Sequence, residues 1–410
     1  MLKAMYRSLL FSCLTVAMFA SAALYAGEQK GNSRNISIYG SSVASGAAAT
    51  ESLGYWHMLK ECLSESGWLV SSCSRGGDTT SRALERYNDL LSQNPRYVFI
   101  GLSLANEGIG MHGKEAKDRI YQQYIEGLKN IVELVRGRDM QPIIGLCYPN
   151  SDYTEKEYGY IKRVNLEINR WDVPSANFLG AIEDGHGRWV EGYFNDPGHP
   201  NTEGHREMFY SIVPTLFDAL DAGKATPQRS KGSRCMKDGT VVFEPQHTIH
   251  SWATALSFRS KQDGALASIA GKSGSAKIEI DDGKLVYTAS NSQEIKAESE
   301  ISDGKWHSIA VSNLYAQKQA MLFIDGKLAG VVDEQLAPVR FAIEDGKACK
   351  KDWFVYRAAL NDLEAKALAS GEMIQASLEM YAPLNDSSFK NGKPVENRAQ
   401  STSLAIFHKN

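Results

Sequence analysis

The chain has 410 residues and a formal net charge of −3, with 43% hydrophobic and 23% charged residues. That length exceeds what one ordinary hydrophobic core organises, so two domains are expected. A slightly acidic balance without a basic run argues against nucleic acid as a partner.

Met1–Ala26 opens with Lys3 and Arg7, continues through an apolar stretch from Leu9 to Ala23, and ends in small residues. This is the pattern of a secretory signal peptide, and it implies a secreted or periplasmic protein. Cys13 lies too early and too deep in the apolar stretch to be a lipid-attachment cysteine, which argues against a cell-surface lipoprotein. No later window is long and apolar enough to span a bilayer. Export permits disulfides, and Cys62 with Cys73 or Cys235 with Cys349 are open pairings; Cys147 is the remaining cysteine. No two cysteines have zinc-ligand spacing, so they read as structural and no metal is expected.

From residue 35 to 222 short apolar runs alternate with longer amphipathic ones. Strands are expected at Ile36–Gly40, Trp68–Cys73, Tyr97–Leu102, Pro142–Cys147 and Asn177–Ile182, with helices near 51–65, 80–93, 114–137, 154–171 and 202–221. Such alternation specifies an α/β fold, a parallel sheet covered on both faces. Right-handed crossovers gather the strand-to-helix loops at one edge, where the chemistry belongs.

Those loops carry suitable residues. The first strand stops at Gly40-Ser41-Ser42, where a serine stands at the carboxyl end of a strand. After the second strand, Ser74-Arg75-Gly76-Gly77-Asp78-Thr79-Thr80 has two glycines that let backbone approach a ligand, or else forms only a tight turn before a capped helix. Asn106, after the third strand, can offer a neutral amide N–H to developing negative charge, or can simply turn the loop. His57 and His112 lack a nearby carboxylate in a constrained loop, and His186, which has Asp184 and two flanking glycines, reads as a solvated loop histidine before a substrate-rim residue. In Asn195-Asp196-Pro197-Gly198-His199-Pro200-Asn201 a carboxylate stands three positions ahead of an imidazole in a loop pinned by two prolines and a glycine. Asp196 there can fix the tautomer of His199 and raise its basicity.

In these blocks the chain resembles the SGNH/GDSL hydrolase superfamily, whose first block is Gly-Asp-Ser and whose last is Asp-x-x-His-Pro-Asn followed by Gly-His. The resemblance implies a flavodoxin-like three-layer fold, Ser42 as nucleophile, and His199 and Asp196 as its partners. It also implies Gly77 as a backbone oxyanion donor and Asn106 as a second one. Three positions depart from the family pattern: Ser41 stands for its Asp, Leu104 for the glycine of the third block, and Glu107 for that block's second Asp. Asp78, Thr79 and Thr80 read as a helix start, and His205 as a packing or surface residue.

Residues 223–235 form a polar linker. Beyond it, short alternating runs at Thr254–Phe258, Lys277–Ile280, Leu285–Thr288, Ile309–Val311 and Met321–Ile324 read as a β-sandwich. Asp282-Gly283, Asp303-Gly304 and Asp325-Gly326 are hairpin signals between them. Ser302-Asp303-Gly304-Lys305-Trp306-His307, Leu322–Leu328 and Trp353–Glu364 are similar to the laminin-G-like, concanavalin A-like jelly-roll family, which implies an all-β jelly-roll sandwich over 236–395. That family binds carbohydrate or protein, sometimes with calcium. Trp306 and Phe323 are expected in the core and His307 on a strand surface.

Together these readings describe an exported serine esterase without a cofactor, acting on an acylated small molecule or polysaccharide, with a glycan or protein ligand for the second domain. Two other readings stand beside it: a lipase or thioesterase taking longer acyl chains, and a largely non-catalytic glycan- or protein-binding protein.

Overall fold

The computed structural model describes residues 34–111, 113–385 and 389–409. The signal-peptide reading of Met1–Ala26, Cys13 and His112 lie outside them. The first lobe contains β1 (Asn35–Gly40), α1 (Ser42–Ser45), α2 (Tyr55–Ser64), β2 (Leu69–Ser72), α3 (Thr80–Glu85), α4 (Tyr87–Ser92) and β3 (Tyr97–Gly101). It continues through α5 (Lys114–Arg136), β4 (Gln141–Gly145), α6 (Glu155–Asn169), β5 (Ser175–Ala176) and α7 (Leu179–Ile182). A small hairpin, β6 (Phe194–Asp196) and β7 (His199–Pro200), then precedes α8 (Thr202–Tyr210) and α9 (Leu216–Asp221).

The first five strands pair in parallel in the order β2-β1-β3-β4-β5, the flavodoxin-like order. Every residue of β3 is buried, as a central strand covered on both faces requires. The long α5 buries Ile120, Tyr124, Leu128, Ile131 and Val135, one face at helical spacing. α6 starts from a capping box in which Thr154 and Glu157 satisfy each other's backbone N–H.

Three expected elements differ. The strand expected at Asn177–Ile182 ends already at Ala176, and Leu179–Ile182 is helical because the Asn177 side chain accepts the Gly180 N–H at 3.0 Å and turns the chain. The helix expected over 80–93 is broken at Arg86, whose side chain turns inward. The one expected over 202–221 is interrupted at 211–215, where Pro214 cannot supply a backbone N–H.

The second lobe contains β8 (Thr240–Phe243), β9 (Trp252–Arg259), β10 (Gly264–Gly271), β11 (Ser275–Asp281), β12 (Lys284–Thr288), β13 (Glu294–Glu300) and β14 (His307–Leu314). It goes on with β15 (Gln319–Ile324), β16 (Lys327–Asp333), β17 (Pro338–Ile343), β18 (Cys349–Tyr356), α10 (Asp362–Ala369), β19 (Leu378–Ala382), β20 (Lys393–Pro394) and β21 (Ala405–His408). Two antiparallel sheets form an all-β sandwich, ordered β13-β12-β11-β10-β17-β8-β21-β20 and β16-β15-β14-β9-β18-β19. Trp252, Trp353, Tyr287 and Phe341 fill the space between them.

The sandwich runs past the expected boundary at 395, since β21 pairs with β8 and completes its sheet. Asp282-Gly283 and Asp325-Gly326 turn hairpins with positive φ at both residues. Asp303-Gly304 does not, because there the chain crosses from β13 in one sheet to β14 in the other. Phe323 is buried as expected, but Trp306 is 36% exposed, one residue outside β14 and so outside its alternation, with Arg259 and Lys351 over its ring.

Asn35–Asn410 forms one compact unit. Residues 223–235 do not act as a free spacer: Lys224 donates to the Ser401 carbonyl, the Ser230 N–H donates to Tyr381, and Cys235 bonds to Cys349. Cys62, Cys73 and Cys147 are free thiols, which removes the Cys62–Cys73 pairing. The lobes meet through Ser251 on the Ala181 carbonyl, Arg357 on the Tyr210 carbonyl, and the Asn169 side chain on the N–H groups of Gln375 and Ala376.

Candidate active site

β1 delivers the first residue of the site. Its end is held from two sides: the Gly40 carbonyl accepts from the Arg75 N–H at 2.9 Å and from Arg86 at 3.1 Å, and the Ser41 N–H donates to Gly101 of β3 at 3.0 Å. Ser42 then opens α1, with its carbonyl taken up by the Ala47 N–H and the Ser45 hydroxyl.

The second part is the β6–β7 hairpin. Its register sets Asp196 directly opposite His199 across the Pro197-Gly198 turn, so a carboxylate and an imidazole three positions apart become cross-strand neighbours. Asp196 Oδ1 accepts from His199 Nδ1 at 2.8 Å and from the Gly198 N–H at 2.9 Å. Burial works to raise the Asp196 pKa, but the His199 and Gly198 hydrogen bonds outweigh it and hold the carboxyl below its ordinary range. On the other side of the ring, His199 Nε2 lies 2.9 Å from Ser42 Oγ. The three expected residues therefore meet in one chain of contacts. Asp196 and His199 keep 46% and 31% of their side-chain surface, so the group opens to solvent.

Two further loops flank the serine. A methyl group built on Gly76 would stand 3.8 Å from Ser42 Cβ, in ordinary van der Waals contact, so the loop after β2 lies directly against the serine. Gly77 takes φ +78°, a left-handed conformation that a side chain disfavours. The Asn106 side chain donates to the Asp78 carbonyl at 2.9 Å, and the Glu107 carboxylate accepts the Thr80 N–H at 2.6 Å. Both contacts tie the loop after β3 to the loop that holds Gly77. Asn106 thus spends one amide N–H on that tie and keeps a second. Thr79 caps α3 as the helix-start reading expected.

Asp78 has a different part, missed in the sequence: buried, it pairs with buried Arg86, which also donates to the carbonyls of Cys73 and Gly40 and lies 4.6 Å over the Tyr39 ring. An arginine inside a helix-like run gives no sign that it points inward. Trp189 and Tyr148 were likewise passed over. The Trp189 indole N–H donates to the Pro197 carbonyl at 3.1 Å, within the turn between Asp196 and His199.

The other described histidines singled out by the sequence lie apart from this chain of contacts. His205 is buried between the Ala47 carbonyl and the Tyr55 N–H, and burial lowers its pKa to about 4, so it is a neutral packing residue. His186 pairs with Glu155 in an exposed loop. The His57 ring lies against that of Trp56, with centroids 3.8 Å apart and planes tilted by 31°. His307 is held between Asp303 and Asp325. Among the described residues no cluster of three or more His, Cys, Asp or Glu is placed to hold a metal ion, and no helix is long and apolar enough to cross a membrane.

Residues 38–207 match the model of the GDSL-like lipase/acylhydrolase family, so the first lobe is a GDSL-like domain, a class that supports an ester-hydrolysing enzyme of esterase or lipase type. Residues 242–338 match the model of the N-terminal receptor-binding region of clostridial neurotoxin. Among solved structures, a member of the lipolytic G-D-S-L family from Veillonella parvula DSM 2008 is similar at 15% identity and a TM-score of 0.36, over 43% of this chain and 94% of that one. Domains LG4-5 of the mouse laminin alpha1 chain are similar at 14% identity and a TM-score of 0.28, over 42% of this chain and 52% of that one. A candidate carbohydrate binding protein from Bacteroides ovatus ATCC 8483 is similar at 10% identity and a TM-score of 0.33, over 42% of this chain; the chain spans 58% of its length. Curated proteins gave no match.

Proposed function

We propose that the protein is an exported serine esterase that removes acyl groups, acetyl foremost, from a polysaccharide. His199 Nε2 takes the proton of Ser42 Oγ as that oxygen bonds to the ester carbonyl carbon. The carbonyl oxygen becomes an oxyanion met by the N–H groups of Ser42 and Gly77 and by the second amide N–H of Asn106. Collapse breaks the bond to the sugar oxygen, which leaves as an alcohol with the proton from His199. Water, deprotonated by the same imidazole, then releases the acid and frees Ser42. Asp196 orients the ring and stabilises its charged form.

The observation that carries this reading is the 2.9 Å contact of Ser42 Oγ with His199 Nε2, with Asp196 on the opposite nitrogen. The open position of the His199–Asp196 pair favours a bulky polymer over a long acyl chain that needs an enclosed apolar channel. The sandwich is proposed to hold a glycan or protein ligand, and Met1–Ala26 to direct export.

Wild type and Ser42→Ala should be compared on aryl esters of increasing acyl length and on an acetylated polysaccharide. The expected result is Ser42-dependent release of acetate with rates falling as the acyl chain lengthens. Rates that rise with chain length would replace the polysaccharide reading with a lipase, and equal rates in both proteins would remove the esterase itself.

A further inference from the structure

The residue before the nucleophile poses a problem that the esterase reading leaves open. Ser41 stands where the resembling family has a carboxylate, it is fully buried, and its side chain makes no cap on α1. A buried hydroxyl needs a partner. Its Oγ lies 3.4 Å from the hydroxyl of Tyr148, which also hydrogen bonds with Ser103. Burial pushes the Tyr148 pKa up to about 12, so that hydroxyl keeps its proton and can donate.

The other end of Tyr148 faces the hairpin. Its ring stacks on Trp189, with centroids 5.8 Å apart and planes 23° from parallel. Trp189 in turn donates to the Pro197 carbonyl between Asp196 and His199. The Ser151 N–H donates to the same carbonyl at 3.0 Å, and Tyr148 and Ser151 belong to one loop after β4. Tyr148 therefore touches the support of the serine through its hydroxyl and the support of the histidine through its ring. Ser42 and His199 come from loops 157 residues apart, so their separation depends on whatever spans the two.

We infer that Tyr148 is a positioning residue of the Ser42–His199 pair, its hydroxyl fixing Ser41 while its ring, through Trp189, fixes the turn that carries His199. The inference rests on the esterase reading for its kinetic consequences. A hydroxyl pair at Ser41 and Tyr148 thus anchors the nucleophile loop at the position where the resembling family has a carboxylate.

Tyr148→Phe keeps the ring stack and removes only the hydroxyl. It should lower kcat about fivefold to tenfold with KM changed by less than about twofold, the size of one lost hydrogen bond acting on geometry. Ser41→Ala should do the same, and the double variant should be no slower than either single one, because both substitutions remove the same contact. Additive losses, or an unchanged kcat, would overturn the inference. The proton on His199 Nδ1, followed by NMR in the full chain, is read in parallel: Tyr148→Phe should shift or broaden it, and an unmoved signal would count against the inference. That signal requires no turnover. A wild type without Ser42-dependent hydrolysis would therefore refute the esterase reading while the NMR comparison still decides whether Tyr148 positions His199.

Discussion

Replacing Asp196 by alanine tests how much an open carboxylate can contribute to a serine–histidine pair. When His199 takes the serine proton it becomes an imidazolium beside the Asp196 carboxylate, which already touches Nδ1 at 2.8 Å. With charge centres about 4 Å apart, the attraction is worth about 1 kcal/mol in a water-like medium and about 4 kcal/mol at the effective dielectric of a protein surface. Exposures of 46% and 31% put this pair between those limits, nearer the watery one. A value of about 2 kcal/mol corresponds to a loss of about thirtyfold in kcat. The loss should stay well short of the roughly ten-thousandfold effect known for a buried triad aspartate changed to asparagine, which also imposes the wrong tautomer. The assay is steady-state hydrolysis of a short-chain aryl ester by wild type, Asp196→Ala and Ser42→Ala. The electrostatic reasoning fails if Asp196→Ala keeps the wild-type kcat, or if it falls to the level of Ser42→Ala.

Two other outcomes follow from buried charge. Arg86→Met strands the Asp78 carboxylate and deprives the Cys73 and Gly40 carbonyls of a donor; urea unfolding should show a loss of about 3 to 5 kcal/mol, partly recovered in Arg86→Met/Asp78→Leu. A single-variant loss below about 1 kcal/mol would mean that the pair does not brace the loops. Burial raises Glu183 to about 8, helped by the neighbouring Glu364 carboxyl and opposed by hydrogen bonds from Tyr158 and the Gly187 N–H and by Lys162. The folded state then holds this proton more tightly than the unfolded chain does. Its contribution is complete below the unfolded value near 4.5 and is lost as pH rises towards about 8. Thermal melts from pH 5 to 9 should show that decline, and Glu183→Gln should flatten it; an equally steep curve in the variant would assign the decline to another group.

Much of the site was legible because its parts are local. Asp196 and His199 share one turn, Ser42 follows the apolar run of β1, and the proposed oxyanion donors Gly77 and Asn106 lie in the loops after β2 and β3. A parallel sheet followed from alternation, since apolar runs of that length separated by amphipathic helices leave it as the way to bury both faces, whereas the flavodoxin-like arrangement was implied only by the family resemblance. Elsewhere local pattern misled. Trp306 alternates with its neighbours yet lies beyond the start of β14, and Asn177 stands in an apolar run yet turns the chain through one side-chain hydrogen bond.

The order of the chain determined which residue types stand at which strand ends, because backbone periodicity and turn chemistry act over a few positions and are written in neighbouring residues. Only the tertiary structure decided that Arg86 points inward to Asp78, that Tyr148 spans Ser41 and Trp189, and that Cys349 is the partner of Cys235. Those contacts join residues of separate elements, some far apart along the chain. Their geometry is set by the packing of whole layers, to which no short stretch of sequence has access.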